Sequence, residues 1–72
     1  MNYYILMAGN LVVSYYSEEI NLYLFEEYLK SETMIMFNEN KAQEVCNEIN
    51  TNINNEYKHR VEIVPIGLKL MP

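Results

Sequence analysis

The sequence predicts a single α+β domain over residues 1–72, a small, mostly antiparallel sheet packed against one amphipathic helix. Three observations predict it. Between Asn38 and Asn54 the apolar residues Ala42, Val45, Cys46, Ile49 and Ile53 recur at i, i+3, i+4, i+7 and i+11, one stripe of a 3.6-residue helix in an otherwise polar segment. Near the N-terminus, two runs rich in aromatic and β-branched residues flank the dipeptide Gly9-Asn10. Apolar runs without helical spacing, Met34 to Phe37 and Arg60 to Leu70, lie on either side of the striped segment.

Taken in order, Tyr3 to Ala8 carries apolar groups at odd and even positions alike, the pattern of a strand covered on both faces. Leu11 to Tyr16 is a second such run, and Gly9 supplies the positive φ of a tight hairpin turn between them. Ser14 is the one polar residue in that second run and marks its wetter face. Residues 18–30 fit two descriptions. As a second helix, Ser17 caps the start, Glu18 and Glu19 meet the positive end of the dipole, and Lys30 meets the negative end. As a strand, Ile20, Leu22 and Leu24 alternate with Asn21, Tyr23 and Phe25. The end charges and the Glu26-Lys30 spacing weigh towards helix.

Met34 to Phe37 reads as a short buried central strand. The striped helix then spans about 39–54. Asn38 or Asn40 caps it, Glu39 sits in its first turn, and Asn40 with Gln43 has the spacing of a capping box. In the last run Val61 and Ile63 have one parity and Val64, Ile66, Leu68 and Leu70 the other. The switch falls beside Pro65, which cannot donate to a ladder, so a bulge or strand break is expected near Pro65 to Gly67.

Ten acidic residues, all Glu, stand against five Lys and Arg, for a net charge of -5. A nucleic-acid binder would show a basic patch, and an anionic membrane attracts basic segments, so direct binding to either is not expected. Residues 17–32 carry Glu18, Glu19, Glu26, Glu27 and Glu32 against Lys30 alone. That segment, with Tyr23 among the acids, is the candidate surface for a protein partner with a basic face. On a helix its carboxylates would form a row that imitates a nucleic-acid backbone; the plainer alternative is a face that only keeps the domain soluble.

Chemistry is sparsely represented. His59 and Cys46 are the only His and the only Cys, and they lie on different elements, so no metal site or cofactor is expected. His59 reads as a solvated residue before a strand and Cys46 as a small core residue. Glu62 lies between Val61 and Ile63 and points to solvent from a half-buried strand. With Gly9 and Gly67 as the only glycines there is no phosphate loop, and Ser14, Ser17 and Ser31 have no acid-His pair to activate them. No catalytic residue is assigned and no enzyme activity is expected. One cysteine allows no internal disulfide, no basic n-region precedes the first apolar run, and no run approaches the length of a bilayer span, so the expected location is the cytoplasm.

The opening M-N-Y-Y-I-L, the F-N-E-N-K-A-Q-E-V helix start, the closing R-V-E-I-V-P-I strand and the Asn, Glu, Tyr and Ile richness give the chain its overall character. In these the chain resembles small acidic proteins of bacteriophages and mobile elements of low-GC bacteria, anti-CRISPR inhibitors among them. The resemblance implies a non-enzymatic protein that blocks a host nucleic-acid-handling enzyme in the host cytoplasm, and it assigns no residue. A second expectation follows from the strands alone: apolar on both sides, with a helix to cover only one, they leave a face for a second copy, a homodimer.

Overall fold

The computed structural model describes residues 2–31, 33–52 and 60–67. Strands β1 (Asn2–Ala8), β2 (Leu11–Ser17), β3 (Leu22–Glu27) and β4 (Glu62–Gly67) form one antiparallel sheet in the order β3-β2-β1-β4, and helix α1 (Glu39–Thr51) lies on one face of it. The α+β class and the small antiparallel sheet are as the sequence predicts. Gly9 takes φ +64 in the two-residue turn, and Ala8 pairs with Leu11 across it.

Residues 18–30 are not a second helix. Leu22 to Glu27 is an edge strand paired along its whole length with β2, from Ser17↔Leu22 to Leu11↔Glu27. Ser17 ends β2 instead of capping a helix. Asn21 closes the hairpin loop at φ 54, a left-handed conformation that asparagine tolerates, and the Tyr16 hydroxyl donates to its Oδ1 at 3.3 Å. Tyr23 then packs edge-to-face between Tyr16, 4.7 Å between ring centroids, and Phe37, 6.4 Å away. A ladder with β2 and a row of rings outweigh the local end charges. Lys30 pairs with Glu27, not with Glu26.

The core lies between the sheet and α1. Leu6 and Ala8 of β1, Val13 of β2, Phe37, Val61 and the helix stripe Ala42, Val45 and Ile49 are buried together. Asn38 is the N-cap, its Oδ1 accepting from the Lys41 N–H at 2.8 Å. Because Asn38 takes this role, the Asn40-Gln43 spacing lies inside the first turns and is not a capping box. The helix ends at Thr51, short of 54, with Asn52 as C-cap; Ile53 lies outside the described residues.

The sheet is split along its middle. β1 and β2 are paired only at Met7↔Val12 and Ala8↔Leu11. Beyond that point the chain before the helix enters the gap. Phe37 exchanges backbone hydrogen bonds with Tyr4 at 2.8 and 2.9 Å, and the Ile35 N–H donates to the Val13 carbonyl at 3.1 Å. The expected strand over Met34 to Phe37 is thus a wedge with one bridge, Tyr4↔Phe37. Phe37 is buried, whereas Met36 is half exposed.

Two further expectations are corrected. The ladder of β1 with β4 runs without a register shift from Asn2↔Gly67 to Met7↔Glu62, so no bulge falls at Pro65. Tyr4, opposite Pro65, turns both its N–H and its C=O to Phe37. Its pairing with Pro65 is therefore the type that uses no hydrogen bond, and the missing proline N–H would have faced the outer edge. The register shift lies instead between Val13 and Tyr15. Ser14 sits there, buried, with its hydroxyl donating to the Leu24 carbonyl at 3.3 Å, so it does not mark a wet face.

Candidate functional site

The side of the sheet away from α1 gathers the residues whose pairing parity is opposite to the core set. These are Tyr3, Ile5 and Met7 of β1, Val12 and Tyr15 of β2, Leu22, Leu24 and Glu26 of β3, and Glu62, Val64 and Ile66 of β4. Ile5 (2 % exposed) and Val12 (0 %) on this side are already covered by the chain itself. Tyr15 and Met36, each 51 % exposed, stand at its surface. Tyr3, Met7, Leu22, Leu24, Val64 and Ile66 are half-buried.

The charges on this face have a definite layout. Glu26 pairs with Val12, Val12 with Met7, and Met7 with Glu62, so one cross-strand row runs Glu26, Val12, Met7, Glu62. An exposed carboxylate closes each end and two apolar side chains fill the middle. The next positions along the strands, Leu24 with Tyr15 and Ile5 with Val64, and then Leu22 and the pair Tyr3 with Ile66, are apolar apart from Ser17 beside Leu22. The four strands contain Glu26, Glu27 and Glu62 and no Lys or Arg. Both described lysines sit beside a Glu, Lys30 at 3.4 Å from Glu27 and Lys41 at 3.6 Å from Glu44, in exposed pairs that contribute little to stability.

The expected acidic row does not form as one. Glu18 and Glu19 lie in the β2–β3 turn, and Glu26 and Glu27 lie at the far end of β3, about 17 Å of strand away. Glu26 points to the side away from α1, and Glu27, opposite Leu11, points to the other. Tyr23 faces the helix side, where burial first and the neighbouring Glu48 second push its phenol pKa up. Glu32 lies outside the described residues, as does His59.

Cys46 is half-buried at the edge of the helix stripe. Burial raises its thiol pKa, and the Arg60 charge and a hydrogen bond from Asn50 pull the other way. The Asn50 side chain, not singled out from the sequence, grips the chain just before β4. Its Oδ1 accepts from the Val61 N–H at 2.8 Å and its Nδ2 donates to the Val61 carbonyl at 3.1 Å, where the Cys46 thiol also donates at 3.3 Å. The signal for it was its place one helical turn after Cys46. Among the described residues no group of three or more His, Cys, Asp or Glu could hold a metal ion, and no helix is long and apolar enough to cross a membrane. No protein-family model, curated protein or solved structure matches the chain.

Proposed function

We propose that this is a non-enzymatic interaction module whose exposed carboxylates dock a basic surface of another protein, as a phage-type inhibitor of a nucleic-acid-handling enzyme would. The observation that carries the reading is the charge layout of the sheet, where exposed Glu26 and Glu62 stand at the two edges of one cross-strand row and the strands hold no base. Complementary charge steers and selects a partner. Enzymes that handle nucleic acid present basic grooves, which is the surface such a charge layout suits.

Self-association through the side of the sheet away from α1 is the rival reading, favoured by its apolar rows. It brings together two chains of net charge -5 and sets like-charged edges against each other. The test is affinity capture from a low-GC bacterial lysate with the wild-type chain, the Glu26→Lys/Glu62→Lys variant and the Glu18→Lys/Glu19→Lys variant, at low and high salt. The reading expects one basic nucleic-acid-handling protein, retained by the wild type at low salt and lost from Glu26→Lys/Glu62→Lys. Equal capture by that variant sinks it. Loss only from Glu18→Lys/Glu19→Lys moves the site to the hairpin turn. Recovery of nothing but untagged copies of the chain establishes the rival.

A further inference from the structure

Resting on that interaction reading, we infer that the turn after β3 is the anchor of the interface: Leu29, with Tyr28 beside it, enters an apolar pocket of the partner that Lys or Arg side chains border. Glu27 to Lys30 form a β-turn, closed by the Lys30 N–H donating to the Glu27 carbonyl at 3.0 Å. Tyr28 and Leu29 are its two central residues. Those positions ordinarily hold Pro, Asn, Asp, Ser or Gly, each for a conformational reason. Neither Tyr28 nor Leu29 takes a positive φ, and nothing in the turn itself calls for a large side chain at either place. Leu29 is 94 % exposed, so it gains almost no contact from the fold, and Tyr28 is exposed beside it. A lone surface leucine needs no explanation. Here two large side chains share the tip of a turn whose chemistry asks for neither.

The tip is also held in place. The Tyr28 N–H donates to the Asn10 carbonyl at 2.8 Å, which ties this turn to the Gly9-Asn10 turn, and Lys30 pairs with Glu27 across it at 3.4 Å. A partner that takes Leu29 therefore meets a shape already set and loses little to ordering it. Charge selects the kind of pocket. Glu26 and Glu27 precede the turn and point to opposite sides of the sheet, so exposed carboxylates flank the tip on both sides. A basic border answers them, and a tyrosine ring suits the centre of such a contact. A second copy of the chain would set the same acids against one another.

The probe is the full chain with a photoreactive benzophenone amino acid in place of Leu29, irradiated in low-GC bacterial lysate at low salt, with the same group in place of exposed Asn47 on α1 as control. A crosslink from position 29 to one basic protein, and none to it from position 47, is expected. Lysate capture with Leu29→Ser should retain about tenfold less of that protein than the wild type. Leu29→Met should retain it, as should Ile20→Ser in the turn at the other end of β3. Leu29→Ser should melt with the wild type, because the side chain it removes is exposed; a clear fall in Tm makes Leu29 a residue of the fold and overturns the inference. Equal capture by Leu29→Ser, or no crosslink from position 29, also overturns it, and if Glu26→Lys/Glu62→Lys still loses the partner, the carboxylate reading stands without the turn. Capture that depends on Leu29 but not on Glu26 and Glu62 overturns the basic border and the carboxylate reading together. Crosslinks from position 29 to copies of the chain alone assign the turn to self-association and overturn both.

Discussion

Replacing Asn50 with Ala is expected to destabilise the fold by about 2 kcal/mol. Val61 is buried, and among the described residues its N–H has one partner, the Asn50 Oδ1 at 2.8 Å. Truncation orphans that N–H, at a cost of about 1–3 kcal/mol. The Val61 carbonyl loses the amide but keeps the Cys46 thiol, so its loss is smaller, about 0.5 kcal/mol. The better helix propensity of Ala returns about 0.6 kcal/mol. A 72-residue domain holds about 4–11 kcal/mol in all, so the variant stays folded but weakened. At this size 2 kcal/mol lowers Tm by about 8–16 °C. Far-UV circular dichroism melts and urea titrations measure it. Asn47→Ala, exposed on the same helix, is the control and should stay within about 0.5 kcal/mol of wild type. If the two variants melt together, the Asn50 grip on Val61 is not holding β4 in place.

Phe37→Ala removes the buried ring of the wedge and should cost about 3–5 kcal/mol, enough to leave a large unfolded fraction by urea titration, whereas Phe37→Leu should cost far less. Asn21→Val forces a β-branched residue to φ 54 and should cost about 1–2 kcal/mol, while Asn21→Gly should be near neutral, both read by thermal melts. Tyr23 has a raised pKa in the fold, so the folded chain keeps this proton at a pH where the unfolded chain loses it. Its contribution is full below pH 10 and is lost as pH rises through the folded value; Tyr23→Phe should flatten the stability curve above pH 10, measured by urea titration across pH.

The helix and the first hairpin were legible because their signals are local. The Ala42, Val45, Cys46, Ile49 stripe needs only a surface to lie on, and Gly9-Asn10 needs only the two residues beside it. The segment 18–30 was not legible, because its end charges describe a helix and Leu22-Tyr23-Leu24-Phe25 a strand with equal right. What decides between them is β2, a partner the local pattern does not name. Ser14 misled for the same reason: a lone hydroxyl in an apolar run looks wet until the Leu24 carbonyl that accepts from it is known. Pro65 was read as an interruption because a proline costs a ladder bond only where one would have formed, and that depends on which way Tyr4 turns its backbone. The acidic segment was legible as charge but not as shape. Glu18 and Glu19 fell before β3 and Glu26 and Glu27 at its far end, and Glu62, set aside as a solvent-facing residue, came to stand in line with Glu26.

The pairing of β1 with β4 bears on how the chain comes into being. Strand β1 is joined to β4, far along the chain, from Asn2 against Gly67 to Met7 against Glu62. On a ribosome adding about 5–20 residues per second, β1 waits about 3–12 s after Ala8 for the residues that complete its ladder with β4. Within that interval the local β2–β3 hairpin and then the helix complete their sequences, while the ladder of β1 with β4 does not yet exist. A nascent chain stalled before Glu62 carries an open, tyrosine-rich edge. Acquisition of protease resistance should therefore come late and in one step, when β4 emerges.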